Sequence, residues 1–267
     1  MPTEMEDYLF DLRGYVVLKN AIAPPLLDDL NDAVDSFPPV EPDGWLGYLH
    51  RHYWDDSPDN LHLQNIFEGG VPFEELIDYP AWIEHMNRYV GGDDGLFIDE
   101  AFVDIRGSGK ATELHSGAHK RRIRTQFRFH NNEFRCGQIN VLMALSDIGP
   151  GDGPTMVIPG SHKLNLMHPA LKTDYETRRA GSMDDVDGAI EVFLDAGDAV
   201  LFVDCMAHGS GRRVNDGQRR VMIYRYGPHW GNNRYGYKPS EELLERLTPE
   251  RRKIIQPLAP IHPPVGV

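Results

Sequence analysis

The sequence has little cysteine, no long apolar run and a minority of positive charge. Only Cys136 and Cys205 occur among 267 residues, outside any Cys-x-x-Cys pair, which argues against a disulfide scaffold or a thiolate metal site. No segment approaches the roughly 18 consecutive apolar residues of a membrane span, and the N-terminus lacks a signal-peptide pattern. We therefore expect a cytoplasmic protein that does not enter membranes.

Charge further restricts the class of partner. Lys and Arg number 27 against 41 Asp and Glu, which gives a formal net charge of −14. Such a surface repels nucleic acid polymers and anionic membranes. We therefore expect neither a nucleic acid polymer nor a membrane as a partner. The 26 Gly and 20 Pro indicate many turns, as in a β-rich fold.

Hydrophobic patterning predicts one domain over residues 1–267 in three stretches. Residues 1–95 contain a strand at 15–18 and then a helix after Pro24, in which leucines recur at helical spacing. An aromatic loop or lid at 41–64 and helices at 73–77 and 82–90 follow. Residues 96–230 contain short candidate strands, typical of an antiparallel sandwich or barrel; they lie at 96–105, 123–129, 138–145, 155–158, 190–194, 199–203 and 220–226. Residues 231–267 predict a helix at 240–246, a second helix capped by Thr248, and a Pro-rich tail.

Five short motifs in the β-rich part carry the functional signal. They are Leu114-His115-Ser116-Gly117, the run from Gly151 to Lys163 that contains Pro159-Gly160-Ser161-His162, the run from Gly197 to Phe202, His208-Gly209-Ser210-Gly211, and Arg219-Arg220. In order and approximate spacing they resemble the phytanoyl-CoA dioxygenase-like branch of the Fe(II)/2-oxoglutarate oxygenases. The resemblance covers nearly the whole chain. It implies a mainly β fold with flanking helices, namely a double-stranded β-helix or cupin-like jelly-roll barrel.

The resemblance also implies a metal site and a cosubstrate site. His115 and His208 correspond to the two iron-binding histidines of the family, and O2 is the co-substrate. Arg219 lies eleven residues after His208, where the family places the arginine that pairs with the far carboxylate of 2-oxoglutarate. Two alternatives remain open: His130 competes with His115, and Arg220 competes with Arg219, since strand alternation points only one of the two arginines inward.

One residue departs from the family pattern. The usual first motif is His-x-Asp, whereas this chain has His115-Ser116-Gly117, and glycine has no side chain that can bind iron. This arrangement resembles the Fe(II)/2-oxoglutarate halogenases, in which Gly or Ala replaces the Asp and chloride binds iron directly. The resemblance implies that Gly117 leaves the halide position open. The alternatives are a carboxylate supplied from elsewhere, water in an ordinary hydroxylase, or a degenerate site.

A basic stretch follows the first motif and bears on the substrate. His119, Arg121, Arg122 and Arg124 form an island without acidic residues, which suits a phosphate or carboxylate group, although charge clusters are also common on solvated faces. By analogy of fold and charge, this island would suit a resemblance to the halogenases that act on free nucleotides. The leading hypothesis is a halogenase of a small, free-standing anionic metabolite that uses Fe(II), 2-oxoglutarate and chloride. The alternatives are a hydroxylase of the same family and a non-catalytic barrel that binds a small anion.

Overall fold

Two antiparallel sheets form the centre of the computed structural model, which describes residues 1–52, 60–91, 95–109, 111–120, 122, 124–172, 181–231 and 239–256. The strands are Tyr15–Leu18 (β1), Trp45–Leu46 (β2), Leu49–Arg51 (β3), Leu61–Gln64 (β4), Leu96–Arg106 (β5), Phe129–His130 (β6), Glu133–Phe134 (β7), Ile139–Ala144 (β8), Thr155–Val157 (β9), Ile190–Val192 (β10), Ala199–Val203 (β11), His208–Ser210 (β12) and Arg219–Pro228 (β13). The larger sheet has the order β1-β11-β8-β13-β5-β4-β3-β2, and the smaller sheet has the order β10-β9-β12. Strands β6 and β7 form a separate two-stranded ribbon.

Helices flank the sheets at both ends of the chain. The α-helices are Glu4–Arg13 (α1), Pro24–Ser36 (α2), Val71–Glu75 (α3), Ile83–Met86 (α4), Glu241–Arg246 (α5) and Pro249–Ile255 (α6). Short 3-10 turns lie at Ile66–Gly69, Leu76–Asp78, Ser161–Lys163, Pro169–Lys172 and His229–Gly231, and one π-helical turn lies at Asn87–Gly91. No helix of the described ranges is long and apolar enough to cross a membrane.

The central strands of the larger sheet are buried on both faces. Every residue of β8 and β11 is buried, which explains their nearly continuous apolar sequences. Residues that face each other across antiparallel strands point to the same side of the sheet. The register therefore defines one inner face, directed toward the smaller sheet, and two of its residues make contact across the gap. The Phe202 ring lies 4.8 Å from the His208 ring, and Arg219 donates to Thr155 Oγ1 at 3.1 Å.

The mainly β architecture with flanking helices confirms the predicted fold class. Strands at 15–18, 96–106, 139–144 and 199–203 agree with the sequence patterns, and Ser240 and Thr248 cap α5 and α6 as expected. The sequence analysis missed α1, although Thr3 and Glu6 form a capping box and Gly14 ends the helix in the left-handed region, at φ 86°.

Two segments differ from the prediction. The stretch at 41–64 was expected to be a loop or lid, but its described residues contain β2, β3 and β4, which extend the larger sheet beyond β5. The strand predicted at 123–129 is wrong over 124–128. The chain turns there instead, and the Thr125 side chain accepts from the Arg122 N–H at 3.0 Å, because local hydrogen bonds of this kind compete with strand pairing.

We predict that Phe10→Ala lowers the free energy of unfolding by about 3–5 kcal/mol, as for other buried aromatic truncations. Phe10 is fully buried, stacks on Tyr89 at 3.9 Å between ring centroids and meets Phe134 edge-on. Denaturant unfolding measures the change. Leu12→Ala on the same helix is the control, because Leu12 is 53% exposed and its truncation should cost about 0.5 kcal/mol or less. Equal losses in both variants would contradict this packing.

Candidate active site

A pair of histidines joins the segment after β5 to the smaller sheet. His115 and His208 form an isolated antiparallel bridge, with backbone N–H to carbonyl distances of 2.9 and 3.1 Å in the two directions. Their ring centroids are 4.1 Å apart, at an interplanar angle of 59°. The structure therefore brings together the two histidines that lie 93 residues apart in the sequence.

Both rings are held in the tautomer that suits metal binding. His115 Nδ1 lies 2.9 Å from the carbonyl oxygen of Glu113, and His208 Nδ1 lies 2.6 Å from that of Met206. A carbonyl only accepts, so Nδ1 carries the proton in each ring and Nε2 is the basic nitrogen. Burial, and then the neighbouring His208, lower the pKa of His115 well below its ordinary value, which favours the neutral imidazole that binds metals.

The residues after His115 adopt left-handed backbone angles, and the chain then turns at 117–120, where the Lys120 N–H donates to the Gly117 carbonyl at 3.1 Å. Ser116 has φ 65° and Gly117 has φ 129°, both in the region that favours glycine. The Ser116 hydroxyl donates to the carbonyl of Asp204, which ties this turn to the segment before β12. A Cβ atom built on Gly117 would lie 2.6 Å from Nδ1 of His119, so the His119 imidazole covers the position where a side chain would begin.

The described residues provide no third metal-binding side chain. No cluster of three or more His, Cys, Asp or Glu side chains in the described ranges is arranged to hold a metal ion. His130, the rival of His115 in the sequence analysis, is exposed on the β6–β7 ribbon. The geometry therefore favours His115 over His130 as the partner of His208.

Arg219 points into the space between the sheets. It is buried and donates to Thr155 Oγ1 at 3.1 Å and to Asp104 Oδ2 at 3.4 Å, whereas its Nε has no partner among the described residues. Arg220 points to the opposite face of β13 and pairs with the exposed Asp35 at 2.6 Å. The predicted alternation of the two arginines is thus resolved in favour of Arg219 as the inward residue.

Asp104 organises the charges around Arg219. Its carboxylate accepts from Arg106 Nε at 2.7 Å and from His62 Nδ1 at 3.2 Å in addition to Arg219. Burial acts to raise the pKa of Asp104, but the charges of Arg106 and Arg219 and the His62 hydrogen bond outweigh it and hold that pKa well below its ordinary value. Burial and the adjacent Arg106 lower the pKa of Arg219 to about 10, so it remains charged at neutral pH.

The described members of the predicted basic island, His119, Arg122 and Arg124, lie in different surroundings. His119 packs over Gly117, Arg122 is exposed, and Arg124 Nε lies 3.4 Å from the Asp204 carboxylate. Arg121 lies outside the described residues. The sequence stretch lacks acidic residues, but the fold brings Asp204 to it from the segment before β12.

Sequence reasoning missed several polar residues of the inner face. Asp104, His62 and Asn140 occur within buried strands, where an isolated polar residue in an apolar run is the available signal. Thr155 lies in the motif from Gly151 to Lys163, but no function was predicted for its side chain. The pairing of strands that are distant in the sequence decides which of these residues share a face, and the local pattern does not contain that information.

The fold and the inward-facing residues together define a class of protein. Two facing antiparallel sheets enclose the histidine pair and the buried arginine, which is a jelly-roll arrangement with the candidate site between its sheets. The family model for phytanoyl-CoA dioxygenase matches residues 10–221, so the chain belongs to that family. This confirms the family resemblance predicted from the motifs.

Two known proteins with sequence similarity to this chain are named as dioxygenases. The dioxygenase cdmD of Talaromyces verruculosus is 32% identical over 129 residues, which are 48% of this chain and 38% of that protein. The dioxygenase trt7 of Aspergillus terreus is 22% identical over 256 residues, covering 91% of this chain and 79% of that protein. The match to cdmD thus spans well under half of that relative's length.

Solved structures share the fold. HygX from Streptomyces hygroscopicus, with nickel and 2-oxoglutarate bound, aligns with a TM-score of 0.74 and 20% identity over 91% of this chain and 94% of that chain. The HygX structure with nickel, 2-oxoglutarate and hygromycin B aligns with a TM-score of 0.70 and 20% identity over 85% of this chain and 88% of that chain.

We predict that Asp104→Asn lowers the free energy of unfolding by about 3 kcal/mol at neutral pH, because it leaves buried guanidinium charges unpaired. The folded-state pKa of Asp104 lies below its ordinary value of 3.8, so its stabilisation is present above about pH 5 and is lost as the pH falls below that value. Urea unfolding of both proteins across this range should give a difference that shrinks toward low pH. Asp195→Asn is the control and should change the free energy of unfolding little, because Asp195 is a 78% exposed partner of Lys19. A pH-independent difference for Asp104→Asn would contradict the assignment of a lowered pKa to Asp104.

Proposed function

We propose that this protein is an Fe(II)- and 2-oxoglutarate-dependent oxygenase that halogenates an aliphatic carbon of a small molecule. The observation that carries the proposal is the His115–His208 pair followed by Gly117 where the family motif has a carboxylate. Among the described residues, no group of three or more His, Cys, Asp or Glu side chains is arranged to hold a metal ion. If iron were held by these two imidazoles and by 2-oxoglutarate, the missing carboxylate would leave space beside Gly117 for a halide.

The residues present fit both cofactors. A backbone carbonyl accepts from Nδ1 of each imidazole and so orients the ring. Each ring then has Nε2 as the basic nitrogen that suits Fe(II). Arg219 offers a buried guanidinium with an unpaired Nε, beside the Thr155 hydroxyl, for the distal carboxylate of 2-oxoglutarate. His208 lies opposite Val157 on the paired strands β12 and β9, and Thr155 lies two residues before Val157 on the same face. His208 and Thr155 are therefore roughly 7 Å apart along the strand, a length that suits a five-carbon dicarboxylate.

Each of these side chains has a distinct task. His115 and His208 hold the metal, and Phe202 packs edge-on against His208 and limits its rotation. Arg219 and Thr155 bind the cosubstrate tail, while Asp104 cancels one of the two neighbouring guanidinium charges, so that one net positive charge faces the tail. When bound, iron and 2-oxoglutarate supply the oxidant that removes a hydrogen atom from an unactivated carbon. The His119 ring lies against Gly117 at this position.

Hydroxylation is the second candidate, and the same His119 favours it. An imidazole that covers the side-chain position of Gly117 is able to exclude a halide and leave that coordination position to water. The names of the fungal relatives, both dioxygenases, agree equally with either reaction. The substrate expected from the basic residues is a small anion, with a nucleotide as one candidate.

We predict that bromide binds to the iron of the protein loaded with Fe(II) and 2-oxoglutarate, and that Gly117→Asp abolishes this binding because its carboxylate occupies the same position. X-ray absorption at the iron edge in bromide buffer measures the iron–bromine distance shell. Any side chain at position 117 is strained at φ 129° and meets His119. Gly117→Ala is therefore the matched control, because it adds the same Cβ without a carboxylate and should retain bromide. A wild-type spectrum without bromine would favour hydroxylation.

We predict that Arg219→Lys weakens 2-oxoglutarate binding by about tenfold or more, since the planar fork that holds both carboxylate oxygens is lost. Titration calorimetry with the manganese-loaded protein gives the dissociation constant. Arg220→Lys, on the outer face of the same strand, should leave it unchanged. Equal weakening in both variants would remove Arg219 from the cosubstrate site.

A further inference from the structure

Asn140 is a buried amide without a partner. It is the second residue of β8, is 1% exposed, and all the other residues of this strand are apolar. Neither its Oδ1 nor its Nδ2 makes a hydrogen bond within the described ranges. Leaving such a group unsatisfied costs about 1–3 kcal/mol, and native structures rarely do so without a bound partner.

The register places Asn140 on the inner face, level with the histidine pair. It faces Phe202 on one neighbouring strand and Arg225 on the other. The Phe202 ring contacts His208, so a single side chain separates Asn140 from a candidate metal ligand. Asn140 therefore lies in the row of the sheet that a substrate beside the metal would touch.

Arg225 extends this row and adds a second unused donor. Its Nη1 pairs with the carboxylate of Glu100, and its guanidinium lies 5.2 Å from the centre of the Phe102 ring. Glu100 also accepts from Gln64 at 2.9 Å. Arg225 Nε is buried and has no hydrogen-bond partner in the described part of the chain. The charge of Arg225 is thus already compensated by Glu100, and its buried Nε–H remains for a ligand.

These atoms specify the chemistry of a ligand. The amide of Asn140 donates and accepts, whereas Arg225 Nε only donates. A carboxylate or phosphate is acceptor-only, would leave the Asn140 carbonyl unsatisfied, and would find no uncompensated charge. A group that carries a carbonyl next to an N–H satisfies both residues.

We propose that Asn140 and Arg225 form a subsite for a neutral amide-like group of the substrate, such as a carboxamide or a lactam. The assignment rests on the proposed function, because the metal and 2-oxoglutarate define which part of the inner face remains for the substrate. It adds a neutral contact to the anionic group expected from the basic residues.

Crystals of the full chain, soaked with Ni(II), 2-oxoglutarate and one of acetamide, 2-pyrrolidinone or acetate, test the subsite. We expect both amides to hydrogen-bond Asn140 and Arg225 Nε, and acetate to be absent from that position. Acetate binding equally well, no amide at Asn140, or 2-oxoglutarate itself contacting the Asn140 amide would each overturn the proposal. Amide binding without nickel at the histidines would instead overturn the proposed function and leave the subsite intact.

Variants test the unpaired amide without a ligand. Asn140→Leu should raise the melting temperature of the ligand-free protein by roughly 3 °C or more, because an unsatisfied buried group is removed. Asn60→Leu is the matched control and should lower it, since Asn60 Oδ1 accepts from the Gly107 N–H at 3.0 Å. A lower melting temperature for Asn140→Leu would mean that the amide is satisfied internally and would overturn the proposal.

Discussion

The backbone bridge between His115 and His208 is the constraint on which the candidate site depends. It fixes His115, in the segment after β5, against His208, the first residue of β12 in the smaller sheet. The carbonyls of Glu113 and Met206 then orient the two rings, and the turn at Ser116 and Gly117 follows directly. The two imidazoles are therefore set by main-chain geometry from both sheets rather than by flexible side-chain contacts.

The second constraint is the distribution of charge inside the barrel. Asp104 balances one of two adjacent arginines near the proposed cosubstrate tail, and Glu100 balances Arg225 further along β13. The interior is thus graded, with a net positive end at Arg219 and a neutral, hydrogen-bonding region at Asn140. Such a gradient orients a dicarboxylate in one direction and leaves the other end for a different class of group.

Much of the fold followed from local pattern, and the site followed in part. The motif residues predicted the family, and alternation along the strand predicted that only one of Arg219 and Arg220 faces inward, because both signals are local; the structure shows which one. Asp104 and Asn140 escaped notice because their importance arises from strands paired across long stretches of sequence. The Gly117 substitution was visible in the sequence, but the His119 ring above it depends on two successive left-handed residues and was not.

The most direct test of the central claim is anomalous diffraction from crystals soaked without oxygen in Fe(II), 2-oxoglutarate and bromide. The account predicts an iron peak bonded to Nε2 of His115 and His208, 2-oxoglutarate extending to Arg219, and a bromine peak on the iron next to Gly117. Iron at His130, or a carboxylate oxygen or the His119 ring in the place of bromine, would contradict it.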